Sequence, residues 1–403
     1  MSKHDIPRRD RTGTACSRRA FIATGAAGLT AVAGCLGDTG GGDGGDESRD
    51  GGLPDEVPYV EDPPEAVYVP SHRDPFLMQS PVTAGDYALL PHFSYPHRFW
   101  LVDGGETEEV LPTLDDSLHL MVAFWDRQTG ELLPVDAGAT LSVSRDGDPV
   151  ETVAPWPMLS QTMGFHFGDN IPLPDDGTYT VEVTVNPIEA VRKTGGFAGR
   201  FEETRTATFE FEWTDDRRRT LVEDIEYLDE DQRGEPGALE PMHHGEMATD
   251  NDDTNGGGMA DGDTNGGGMD MSDMPSPSLR PAAAYPGTDL GVHESGDVAF
   301  VVRYLEDSRL ATGDGGYLLV SPRTPYNRLP LPEMSLSLSL PDGVVQLGQT
   351  LDDELGMHYG STVSLSAGTQ FDLVVDGPPQ VARHRGYETA FLDMPPMTVE
   401  VNQ

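Results

Sequence analysis

Cysteine is nearly missing from this 403-residue chain: Cys16 and Cys35 are the only two, both within the first 35 residues. The remainder holds no thiol for a disulfide, a thiolate metal site or a nucleophile. Lysine is just as scarce, with Lys3 and Lys193 alone among 26 basic residues. Against those 26 stand 69 acidic residues, for a net charge of −43. Neutralising phosphates takes clustered Lys and Arg, so the balance excludes a nucleic-acid binder. Long apolar runs are absent too. The mildly apolar stretch Ala20–Gly34 falls short of the roughly 20 residues a spanning helix needs. There is no Gly-x-Ser-x-Gly elbow, phosphate loop or His-Glu-x-x-His, and paired carboxylates arise by chance among so many acids. The chain reads as a binding protein and not as an enzyme.

What is present points first to the solvent. Charged residues make up 24%, an ordinary density with an extreme sign. Such a surface suits very high salt, where the Debye length is about 3 Å at 1 M, and a halophilic archaeon is the expected source. The first 35 residues invert the balance, with six basic and two acidic groups, leaving −47 on the rest. Arg18 and Arg19 in Ser17-Arg18-Arg19-Ala20-Phe21-Ile22 resemble a twin-arginine export signal, and Val32-Ala33-Gly34-Cys35 resembles a lipobox whose cysteine is lipidated. The expectation is a lipid-anchored protein on the outer face of the cytoplasmic membrane. Residues 36–60 then read as an acidic, Gly-rich tether.

Further on, hydrophobicity alternates with period two. Residues 118–124, 140–144, 179–185 and 206–213, then 298–304, 335–340, 371–375 and 397–401, read as strands. Asp146-Gly147 and Asp176-Gly177 supply turns. The expected fold is all-β, with immunoglobulin-like antiparallel sandwiches over 61–215 and 286–403. Residues 216–285 read as a linker with a short helix near 220–230. It contains a repeated Asp-Thr-Asn-Gly-Gly-Gly-Met and the run Met242-His243-His244 with Met247, Met259, Met269, Met271 and Met274. Those thioethers suit exchangeable copper(I), but a disordered acidic linker with incidental methionine is the preferred reading.

The two modules also match each other. An offset of 192 lays Gly164 on Gly356, His166 on His358, Gly168 on Gly360, Tyr179 on Phe371 and Pro187 on Pro379. That spacing reads as an internal duplication.

Without thiols, any metal site draws on His, Met and carboxylates. His119 and Met121 project from one face of their strand, opposite Leu118, Leu120, Val122 and Phe124, which form the expected core face. Met158 and His166 follow. Imidazole with thioether suits copper, and the imidazoles also take iron or zinc. His92 and His97 flank an aromatic run that a strand-edge turn explains as well.

Residues from about Asp86 to Trp213 resemble the periplasmic iron-transport protein family. The resemblance is carried by Asp116-Ser117-Leu118-His119-Leu120, Pro157-Met158, His166-Phe167-Gly168-Asp169-Asn170-Ile171, Gly177-Thr178-Tyr179 and Asn186-Pro187. It implies dimeric immunoglobulin-like sandwiches that bind copper or related metals through His and Met, in support of high-affinity iron uptake through a membrane permease. His119, Met158 and His166 match three ligand positions, and Met121 stands where the family has Glu. The family's last His is missing, and Arg192-Lys193 stand near its place. The second module keeps His358 and has His384. Thr350 falls at the Met158 position, and the His119 position falls near Ala299. The family's dimerisation suggests an internal pseudo-dimer in which His358 or His384 completes a site begun by the first module. The rival reading is a structural or interaction lipoprotein without a metal.

Overall fold

The structure is a computed structural model, and it describes residues 57–242 and 276–401. Arg18, Arg19, Cys35 and the His243–Met274 run lie outside the described residues. The chain is almost entirely β, with one α-helix among the described residues, Asp215–Glu223. Its N-cap is Thr214, whose side chain accepts a hydrogen bond from the Arg217 amide, and Asp215 and Asp216 complement the helix dipole in the first turn. That helix begins earlier than the expected 220–230 and stops before Glu226–Tyr227, which pairs with His72–Arg73. No helix among the described residues is long and apolar enough to cross a membrane.

The first β region has two sheets. One has four strands, in the order Arg205–Trp213, Gly177–Val185, Thr140–Arg145 and Asp148–Val153. Its alternation is regular: Ala207, Phe209, Phe211 and Trp213 are buried while the residues between them are exposed. Each large side chain so buried contributes about 1.5–3 kcal/mol. The other sheet has nine strands, and its middle runs Tyr87–Ser94, Asp116–Asp126, Gly164–Pro172, Trp156–Ser160 and Ala382–Arg383. Leu118, Leu120, Val122 and Phe124 enter the main core, the face expected of them. The opposite face is buried as well, with His119, Met121, Ala123 and Trp125 all closed off from solvent.

The second β region departs from the expected pair of separate sheets. Its strands form one continuous path from Thr288–Ser295 to Met397–Glu400. The two end strands touch, and Ser295 Oγ donates to Pro395 O at 2.7 Å, so the sheet curls into a nearly closed barrel. The long strand Gly343–Asp352 explains the continuity. Its first half pairs with Ser335–Leu340 and its second half with Gly356–Val363, and Gly348 faces Gly360 at the change of partner. Two facing glycines let the sheet bend without losing its ladder. At the corresponding place in the first region, Asp148–Val153 and Trp156–Ser160 are separate strands in separate sheets, and Ala154-Pro155 lies between them. Proline cannot donate to a ladder, so the path breaks there.

Each region also lends a strand to the other. Ala382–Arg383 runs parallel to Trp156–Ser160, with Ala382 beside Met158 and Arg383 beside Leu159. Arg192–Thr194 runs parallel to Gly343–Asp352, with Arg192 beside Thr350 and Lys193 beside Leu351. This exchange brings side chains 218 residues apart in sequence into contact.

Candidate metal centre

Three adjacent strands and the lent strand build the site. In the antiparallel ladder, Met158 lies opposite His166, Gly168 opposite Met121, and Asn170 opposite His119. His384 follows the lent strand, anchored by its backbone amide to Leu159 O at 3.0 Å. His119, His166 and His384 offer ring nitrogens that all lie within 4.8 Å of one another, and all three residues are buried. His166 Nε2 and His384 Nε2 are 3.2 Å apart.

The orientation of the rings is fixed from outside. His166 Nδ1 donates to Gly164 O at 3.1 Å, and His119 Nδ1 donates to Asn170 Oδ1 at 2.9 Å. With the Nδ1 protons held there, each Nε2 lone pair faces inward. His119 Nε2 is buried and has no hydrogen-bond partner, a cost of about 1–3 kcal/mol that a ligand would relieve. Outward Nδ1–H bonds of this kind set the tautomer of metal-binding imidazoles.

Gly168 keeps the space open. A β-carbon there would lie 2.8 Å from His119 Nε2, 3.1 Å from Met158 Sδ and 3.3 Å from Met121 Cγ. The thioether of Met158 and the His119 imidazole therefore converge over the same glycine. Met121 turns to the same side and lines a small cavity of about 30 Å³ with His97 and His384.

Burial holds the cluster neutral. Desolvation pushes the His119 imidazole down to about 3, with the neighbouring His166 adding to the shift, and pushes His166 down to about 4. His384 and His97 fall well below the ordinary range, through burial first and through the crowding of imidazoles second. Neutral imidazole is the form that coordinates. The donor set fits a transition metal: an ion about 2.0–2.1 Å from each nitrogen sits within a modest contraction of this triangle.

Of the residues expected from sequence, His119, Met121, Met158, His166 and His384 come together here, and His358 does not. Lys193, expected near the missing histidine, is carried to the second region and points toward Glu202 at 3.8 Å. Residues 192–193 pair with Gly343–Asp352, while Ala382–Arg383, the strand just before His384, lies beside Trp156–Ser160. His97, which the sequence leaves as readily a strand-edge turn residue as part of an aromatic surface, joins the cluster. Its ring centroid is 4.2 Å from that of His119 and 4.9 Å from that of His384. It sits in the irregular segment between Tyr87–Ser94 and Phe99–Asp103, where no periodicity marks it. Asn170, present in the resemblance only as part of a motif, accepts from the His97 amide at 3.3 Å and donates to His97 O at 3.0 Å.

In the second region His358 occupies the place of His166, with Thr350 opposite it where Met158 stands in the first. The place of His119 is not near Ala299. The ladder sets Tyr317 opposite Thr362, as His119 is set opposite Asn170, two residues past Gly360 and Gly168 respectively. The Tyr317 hydroxyl lies 3.2 Å from His358 Nε2 and 3.4 Å from Thr350 Oγ1. A hydrogen-bonded tyrosine fills this cradle.

A family model described as a domain of unknown function (DUF7350) matches residues 283–400. No curated protein matches the chain. A weak, partial likeness links it to solved structures of FetP from uropathogenic Escherichia coli strain F11. The as-isolated protein is 18% identical, with a TM-score of 0.27, over 35% of this chain and 97% of that one. A copper-bound single-substitution variant is 21% identical, with a TM-score of 0.26, over 35% and 98%.

Proposed function

We propose that this chain is an exported, lipid-anchored surface protein that binds a transition metal in support of iron uptake, and that the metal is held by His119, His166, His384 and Met158. The observation that carries the reading is the convergence of ring nitrogens from three buried histidines, two with their Nδ1 protons tied outward, beside the Met158 thioether over Gly168. The thioether favours copper, and the imidazoles also accept iron. We read the two β regions as diverged copies of one immunoglobulin-like sandwich packed as an internal pseudo-dimer. The reciprocal strands and the matched ladders support that reading. The resemblance of 86–213 to the periplasmic iron-transport family supports a permease as partner, and the leader motifs support export and anchoring at Cys35.

Metal analysis of the purified mature protein tests the core of this. One copper or iron per chain, lost in His166→Ala with the fold retained, is the expected result. A full-length protein that binds neither copper nor iron above background would leave the structural lipoprotein as the correct reading.

A further inference from the structure

His97 is buried, its Nδ1 donates to Arg98 O at 3.2 Å, and its Nε2 has no hydrogen-bond partner. It therefore repeats the pattern of His119, a ring anchored on one side with a free lone pair on the other. Yet His97 lies outside the set of three whose nitrogens converge. Its place in the fold is different. It lines the small inner cavity beside Met121 and His384, and it also lines an outer cavity of about 700 Å³ bounded by Tyr59, Glu61, Tyr95 and Arg385. His97 is thus shared between the outside and the inner trio, in ring contact with two of the three histidines.

We propose that His97 is an entry ligand, taking a metal ion from the outer cavity and passing it to His119 and His384. The step rests on the metal-site reading above. Each hand-over forms one metal–nitrogen bond as another breaks. The metal's oxidation state does not change, and no proton leaves His97 or His119, whose Nε2 lone pairs are free, while His384 shifts its ring proton from Nε2, where it bonds His166 Nε2, to Nδ1 as the metal arrives. Asn170 holds His97 through backbone contacts and His119 through Nδ1, so a single side chain keeps donor and acceptor in register. Charge at the entrance is close to balanced. Burial opposes ionisation of Asp74, but Arg385 and the hydrogen bond from His72 outweigh it and hold the carboxyl well below its usual range. Asp74 in turn offsets Arg385, and Glu109 pairs at 2.6 Å with Arg98, the other cation lining the outer cavity, leaving Glu61 as the acidic group on the outer rim.

The test times copper(I) uptake from a weak chromogenic chelator in rapid-mixing experiments and reads final capacity from the same absorbance. His97→Ala should slow loading about tenfold, the effect of roughly 1.4 kcal/mol on a barrier, while the chain still fills to one copper. Glu61→Trp, which adds bulk at the mouth without touching the core, should slow loading as well and guards against a misfolded His97 variant. Unchanged loading in both variants overturns the proposal. A His97→Ala protein that folds but loses its copper also overturns it, because His97 would then be an ordinary ligand of the inner site. Failure of the wild-type protein to take up copper(I) overturns this inference alone, and failure to bind iron as well fells the site reading on which it rests.

Discussion

The two cradles of this molecule share a ladder and differ in what fills it. In both, a Gly-x-His-aromatic-Gly strand runs between two neighbours, and a His donates its Nδ1 proton to the carbonyl of the glycine two residues earlier. In the first, the space over Gly168 is bounded by His119 and Met158, and His119 Nε2 has no partner. In the second, the space over Gly360 is taken by the Tyr317 ring, whose hydroxyl engages His358. The same backbone therefore supports a polar void or a closed hydrogen-bonded plug. Three positions decide which: Tyr317 for His119, Thr350 for Met158, and the strand lent by the other region. The lent strands complete the contrast, since one brings His384 to the first cradle. The other brings Thr194, whose Oγ1 donates to Asp352 Oδ2 at 2.6 Å. A buried polar void is costly, and that cost, present in the first cradle and absent from the second, is what the proposed metal site would offset.

The sharpest way to break this comparison is to remove one histidine from each cradle. His384→Ala should abolish stoichiometric copper binding although it lies in the second half of the chain. His358→Ala should leave one copper per chain, measured by metal analysis after desalting. Copper lost in both variants, or two coppers in the wild type, would mean that the second cradle also binds. Asn170→Leu should keep the metal with an affinity about 10–100-fold lower, the usual effect of losing a hydrogen bond that orients a ligand; a competition titration against a copper(I) chelator reads it.

Steric tests come next. Gly360→Ala would drive a β-carbon into the Tyr317 ring and to 2.6 Å from Leu318 O. Because part of the obstacle is backbone, we expect a loss of about 3 kcal/mol in denaturant unfolding. Gly168→Ala meets only side chains, so it should cost less stability while blocking the metal. Equal destabilisation with copper retained would remove the argument that Gly168 guards a ligand space.

The alternating strands were legible in the sequence because one of their faces is exposed or half-exposed. Arg205–Trp213 and Gly177–Val185 show it plainly. Of the strands that build the site, 118–124 was legible as a strand, whereas Gly164–Pro172 and Trp156–Ser160, like the neighbouring Tyr87–Ser94, were not. Tyr87–Ser94 is buried along its whole length, and Gly164–Pro172 along most of it, so no polar alternation marks either, and Gly164 reads as a turn. The candidate ligand residues themselves could be named, since His and Met without Cys leave few choices. Their meeting could not be read, because it depends on a parallel pairing between Met158 and Ala382 that has no local signal. His97 was named but its role was not legible for the same reason: a residue between strands acquires its neighbours only from tertiary packing. The fold class was legible as all-β. The continuous curled sheet of the second region was not, because it turns on where Gly348 and Pro155 fall.

Tyr317→Phe sharpens the comparison from the other side. It leaves His358 Nε2 without the hydroxyl at 3.2 Å, and an unsatisfied buried nitrogen costs about 1–3 kcal/mol. The variant should unfold earlier in denaturant by that amount. If it does not, a water or ion has entered the cradle, and a gain of copper capacity in Tyr317→Phe would reveal which.

The smallest expected effect concerns acid. Burial pushes the His358 imidazole down to about 4, against about 6.5 in an unfolded chain. As pH falls below 6.5 the unfolded state takes up the proton first, so acid favours unfolding. The contribution is intact above that value and is lost progressively down to about pH 4. The buried histidines of the first cradle add losses of the same sign, so the wild type alone cannot isolate the second. His358→Asn can, because an amide at that position keeps a donor for Gly356 O and does not titrate. Between pH 7 and pH 5.5 this variant should lose about 1 kcal/mol less than the wild type. Parallel curves would mean that Tyr317 gives up its bond and lets His358 ionise in place, and the second cradle would then be a yielding pocket and not a plug.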